Sequence, residues 1–119
     1  MILGLGTDLI ENGRIEKACE KERFLAKYYT EQEMVLLQYR RASAAGNFAV
    51  KEAAAKALGT GFRTFSPIHV EVLRDELGKP FVTFRGEAAK IAERMGVRKI
   101  HVSISDTALY AVAVVILED

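Results

Sequence analysis

The chain has 119 residues, half of them hydrophobic, which fits one domain with a real core but leaves enough surface per residue that self-association is one way to bury more. A formal charge of +1 supplies no global field toward nucleic acid or a membrane, so any electrostatic recognition must come from local patches. The single cysteine, Cys19, excludes an internal disulfide and a cysteine metal cluster; a metal here would be held by oxygen ligands, which favours magnesium-like ions.

The opening stretch from Met1 to Gly6 is apolar but soon meets Asp8 and Glu11. It has neither a basic leader nor the roughly 18 uninterrupted apolar residues of a membrane span, so a cytoplasmic setting is expected. Ile2 to Ile10 reads as a buried first strand. Its glycines, Gly4 and Gly6, mark a bulge or the close approach of another backbone. Asn12 is positioned to cap a helix from Gly13 to about Lys21, and a second short helical piece runs from Arg23 to Tyr29. Thr30-Glu31-Gln32-Glu33 is a capping-box pattern that opens a helix to about Arg41. Ser43 is placed to cap the next helix, which runs to Leu58 and stops at Gly59-Thr60-Gly61.

The second half changes period. His69 to Arg74 and Phe81 to Arg85 flank the turn Asp75-Glu76-Leu77-Gly78-Lys79-Pro80, which predicts a hairpin. Glu87 to Met95 reads as a helix ending at Gly96. Arg98 to Ser105 alternates apolar and polar residues, and Leu109 to Leu117 forms a last, largely buried strand. One strand, then helices, then strands with one inserted helix predict an α+β fold with an antiparallel-rich sheet, in a single domain over residues 1–119.

A few residues stand out chemically. Asp8 follows the glycine-containing strand, where it serves either as a turn residue or, if a second carboxylate converges on it, as a metal ligand. Glu52 is the candidate partner. It stands four residues before Lys56 in Phe48-Ala49-Val50-Lys51-Glu52-Ala53-Ala54-Ala55-Lys56-Ala57, so the two share a helix face. The spacing suits a solvated ion pair, or a carboxylate for a metal beside an ammonium for a phosphate. The surrounding alanines make a narrow helix that other elements can approach closely. Gly59-Thr60-Gly61, between Lys56 and Arg63, is either a plain helix terminator or a loop that holds phosphate through backbone N–H groups. His101 lies on the polar side of its strand with Ser103 and Ser105, as a structural residue or a contact to phosphate or ribose. Arg14, Arg23 and Lys27 give the early helices a basic side, either a mixed solvated surface or a dock for an acidic protein with Phe24 as apolar anchor. Cys19 reads as a small apolar residue.

Taken together, Gly6-Thr7-Asp8 with Arg14 downstream, Phe48-Ala49-Val50-Lys51-Glu52-Ala53 with Lys56, Gly59-Thr60-Gly61, Gly78-Lys79-Pro80 and His101-Val102-Ser103-Ile104-Ser105 resemble the holo-acyl-carrier-protein synthases, the small bacterial 4′-phosphopantetheinyl transferases. The order and spacing fit across nearly the whole chain. The resemblance implies transfer of the 4′-phosphopantetheine arm of coenzyme A to a serine of an apo-acyl-carrier protein, releasing adenosine 3′,5′-bisphosphate, in support of fatty acid biosynthesis. It implies magnesium held by Asp8 and Glu52, with Lys56 neutralising a phosphate oxygen. Glu52, or a water it positions, accepts the serine proton. Lys56, Gly59, Thr60, Gly61 and His101 would contact coenzyme A, and Arg14, Arg23, Phe24 and Lys27 would dock the acidic carrier. A homotrimer with active sites between subunits is implied as well. The chain departs from the family pattern at Asn47, where many members carry a basic residue; Arg40, Arg41 and Arg63 are the alternatives for a phosphate contact.

Overall fold

The computed structural model describes residues 1–119. In chain order it contains β1 (Ile2–Glu11), α1 (Asn12–Ala18), α2 (Glu22–Tyr28), α3 (Glu31–Tyr39) and α4 (Ser43–Leu58). Two short 3₁₀ turns follow, Gly61–Arg63 and Pro67–His69. The chain continues through β2 (Val70–Arg74), β3 (Pro80–Phe84), α5 (Gly86–Met95), β4 (Lys99–Asp106) and β5 (Tyr110–Glu118). β2 and β3 form the expected antiparallel hairpin, while β1, β5 and β4 form an antiparallel sheet in that order. The architecture is α+β with antiparallel sheets, as the change of period predicts. No helix is long and apolar enough to cross a membrane.

The core is built around α4. Alternation along β5 turns Ala111, Ala113, Val115 and Leu117 inward, where they are buried with Ala49, Ala53 and Ala57 of the helix in one cluster. β1 lies against the same helix, and its glycines explain how closely. A Cβ at Gly6 would stand 1.9 Å from the Ala53 carbonyl oxygen, and one at Gly4 would stand 2.1 Å from that of Ala57. Strand and helix backbones therefore touch, which only glycine on one side and alanine on the other permit.

The local signals at helix ends have mixed outcomes. Thr30 and Glu33 form the reciprocal capping box, and Gly59 ends α4 in the left-handed conformation at φ 82°. Asn12 does not cap α1; it is the first helical residue, and its amide donates to the carbonyls of Thr107 and Ala108, tying α1 to the β4–β5 turn. Ser43 likewise lies inside α4, buried, with Ala42 at the cap. His69 closes a 3₁₀ turn rather than opening a strand. At Asn12 the tertiary contact overrides the local capping preference, whereas His69 is held by a local bond from the Ser66 backbone.

The face of the three-stranded sheet away from α4 is uncovered and apolar at its centre. Cross-strand rows run Leu5–Ile116–His101 and Leu9–Val112–Ser105. Leu5 is 61% exposed and Leu9 66% exposed.

Candidate active site

All of α4 is buried except Phe48, Glu52 and Lys56. These residues lie at i, i+4 and i+8, so they form one stripe, and it is the only part of the helix that reaches the surface. Gly4, Gly6 and Asp8 alternate along β1 onto the side that faces α4. The close contact at Gly6 thus delivers Asp8 to the edge of that stripe.

Lys56 joins the two elements. Its Nζ donates to the Thr7 carbonyl at 2.9 Å and to Asp8 Oδ1 at 3.4 Å. It is therefore committed to β1 and not to the Glu52 pairing that the four-residue spacing also allows. The other Asp8 oxygen, Oδ2, is buried with no hydrogen-bond partner. Burial raises the Asp8 carboxyl above its ordinary pKa, against the opposing pull of Lys56 and, more weakly, Arg14. Glu52 is also raised, first by burial and then by the negative charge of Asp8, with Lys56 and Arg14 acting in the opposite direction. Two half-buried carboxylates thus stand within reach of one another's charge, and Lys56 occupies only one oxygen of Asp8.

Arg14 belongs to this group as well. It is an exposed residue of α1, and its charge acts on both acids. Arg23 and Lys27 are exposed on α2. Phe24 is half-buried, stacks on Tyr28 at 4.5 Å between ring centres and lies 6.1 Å from Phe48. These rings wall the Phe48 end of the stripe. Tyr28 was not legible as a site residue; burial and then Glu52 push its phenol up, so it lies within reach of that carboxylate's field. At the other end, Gly59 and Gly61 both take positive φ, and the Thr60 hydroxyl donates to the Gly61 carbonyl. The turn directly continues the helix that carries Glu52 and Lys56.

His101 is not brought to the acids within one protomer. It is exposed on β4, the far edge of the sheet, and its Nε2 lies 2.9 Å from Glu118 Oε1. Asn47 is fully buried, its amide donating to Glu33 Oε2 and the Val72 carbonyl, so it has no route to a phosphate. Burial pushes the Cys19 thiol up, in keeping with a packing residue rather than a nucleophile.

Comparison with known proteins gives a consistent result. The model of the 4′-phosphopantetheinyl transferase superfamily matches residues 4–115. A holo-[acyl-carrier-protein] synthase from Lachnoclostridium phytofermentans is 55% identical over 107 residues, covering 90% of this chain and 88% of that protein. The crystal structure of a holo-[acyl-carrier-protein] synthase from Neisseria meningitidis superposes with a TM-score of 0.88 at 31% identity, covering all of both chains. That of the Helicobacter pylori synthase in complex with coenzyme A superposes with a TM-score of 0.84 at 31% identity, over 96% of this chain and 99% of that one. From β1 almost to the end of β5, then, this chain belongs to the 4′-phosphopantetheinyl transferase superfamily.

Proposed function

We propose that residues 1–119 act as one transferase domain that moves the 4′-phosphopantetheine group of coenzyme A onto a serine of apo-acyl-carrier protein, with Asp8 and Glu52 holding a magnesium ion. The observation that carries the metal assignment is the unpartnered, buried Asp8 Oδ2 beside a second raised carboxylate. No group of three or more His, Cys, Asp or Glu residues surrounds the site. Two carboxylates nevertheless fit a magnesium ion, which commonly takes one or two protein carboxylates and fills its remaining positions with water and substrate phosphates. When bound, the ion would neutralise charge on the diphosphate as its P–O–P anhydride bond breaks and the phosphodiester to serine forms.

The chain's own residues do the rest. Lys56, anchored on Thr7 with its ammonium half-exposed, is placed to meet a phosphate oxygen. The Gly59-Thr60-Gly61 turn offers backbone N–H groups one step further along. Glu52, its carboxyl held above the ordinary range, is suited to take the proton of the attacking serine. The uncovered sheet face supports assembly into a trimer. It would also let a neighbour's His101 reach coenzyme A, because His101 borders that face and lies away from its own protomer's acids. A cytoplasmic setting is part of the same reading.

The direct test incubates the protein with coenzyme A, magnesium and an apo-carrier, then weighs the intact carrier. A gain of one phosphopantetheine arm is expected; an unchanged mass refutes the assignment. Two further results are expected. Leu9→Asp places a charge in the apolar sheet face and should convert the assembly to monomer in light scattering, with loss of transfer. An intact assembly would mean that another surface joins the subunits. Raising ionic strength should raise the apparent KM for the carrier more than that for coenzyme A, because Arg14, Arg23 and Lys27 are exposed and so open to screening by added salt. Equal effects on the two would remove this patch as the dock.

A further inference from the structure

A second polar network, which the site chemistry does not use, joins α3, α4 and β2. Lys51 and Glu33 are both fully buried. Lys51 Nζ donates to Glu33 Oε1 at 2.8 Å, to the Pro67 carbonyl at 3.1 Å and to the Val70 carbonyl, which engages all three of its protons. Glu33 Oε1 also accepts from the Thr30 backbone, and Oε2 accepts from Asn47 at 2.9 Å, whose amide also donates to the Val72 carbonyl. Burial drives both ionised partners toward neutrality, raising Glu33 and lowering Lys51. Stability alone does not account for such a pair, since apolar residues of similar volume commonly do as well or better.

Its geometry offers a different role. Asn47 and Lys51 form one ridge of α4, and Phe48, Glu52 and Lys56 form the next, about 100° around the axis. At the closest approach of α4 and β1, Gly6 and Gly4 meet the carbonyls of Ala53 and Ala57, so no side chain of the strand interlocks with the helix there. Lys56 bonds β1 at the exposed edge of this contact, whereas the buried directional bonds made by side chains of the helix lie on the Asn47–Lys51 ridge. We infer that the Lys51–Glu33–Asn47 network is a positioning device that sets the rotation and axial register of α4, and so aims Glu52 and Lys56 at Asp8. The inference rests on the reading of Asp8 and Glu52 as the metal-holding pair. Lys51, Glu33 and Asn47 are positioning residues and touch no substrate.

The test replaces the pair with apolar residues in a Glu33→Leu/Lys51→Met double variant. Binding of Mn²⁺ in the presence of coenzyme A, without carrier, is read by electron paramagnetic resonance, and kcat and KM are measured separately. The variant is expected to melt at or above the wild-type temperature, as an apolar replacement allows. Its Mn²⁺ affinity and its kcat should fall about 10- to 100-fold, the usual effect of losing outer support for a metal ligand, with the carrier KM unchanged. Wild-type affinity and kcat in the folded variant would overturn the inference. Should the double variant not fold, isosteric Glu33→Gln decides the matter by the same two readouts. Asp8→Asn is measured alongside. Undiminished Mn²⁺ binding in Asp8→Asn would defeat the metal reading itself, whereas loss there with none in the double variant would defeat only the positioning role.

Discussion

Asp8→Asn and Glu52→Gln are each expected to lower the transfer rate by about a thousandfold, equivalent to ~4 kcal/mol of transition-state stabilisation, while leaving the fold intact. The same substitutions should make the protein more stable at neutral pH. Each acid holds its proton more tightly in the folded chain than in the unfolded one, because burial raises both and Asp8 further raises Glu52. Between the ordinary carboxyl pKa and the raised folded value, the native state therefore binds more protons than the unfolded state. Stability falls as pH rises through that window, and the full cost remains above it. The amide variants escape this cost, so their melting temperatures should exceed wild type at neutral pH and converge with it below the ordinary carboxyl range. Magnesium with coenzyme A should raise the wild-type melting temperature and leave those of the variants nearly unchanged. Variants that melt lower than wild type at neutral pH would show that the protein itself already satisfies these carboxylates.

Gly6→Val should be the most damaging single change to the fold. The new Cβ would meet the Ala53 carbonyl oxygen at 1.9 Å and its carbon at 2.8 Å, both backbone atoms of a buried helix that cannot rotate aside as a side chain can. A cost of about 3 kcal/mol or more is expected in denaturant unfolding, at the upper end for overpacking. Activity should fall with it, since Asp8 is carried on the same face of β1 two residues on. Gly13→Ala is the matched control. Nothing lies within 4 Å of a Cβ there, and the position is helical, so stability should rise by up to about 1 kcal/mol. If Gly6→Val were tolerated as easily, strand and helix would not be in backbone contact.

Much of this site is legible from the sequence because its signals are local. Glycines two apart ahead of Asp8 announce a close approach, and alternation then places the acid on the approaching side. The four-residue spacing of Glu52 and Lys56 sets them on one helix face. The box at Thr30 and the stop at Gly59 are likewise contained within a few residues. What the sequence does not reveal depends on partners far along the chain. Lys51 reads as one more charge on a helix until Glu33 is found 18 residues away in space-filling contact, with both fully buried. Asn12 has the composition of a cap but spends its amide 95 residues away on Thr107. Phe24 meets Tyr28 at local helical spacing, but its neighbour Phe48 lies on another helix and is not foretold. Arg14 reads as a docking residue, and its charge also acts on the two acids. Periodicity identifies a face; which neighbour covers that face is a property of the packed fold.

The central claim is that Asp8 and Glu52 share one divalent cation. Crystals grown with coenzyme A and Mn²⁺ would test it most directly through anomalous scattering. The account predicts a single strong anomalous peak touching both carboxylates and the diphosphate. A peak that touches neither acid, with the diphosphate bound elsewhere, would contradict it.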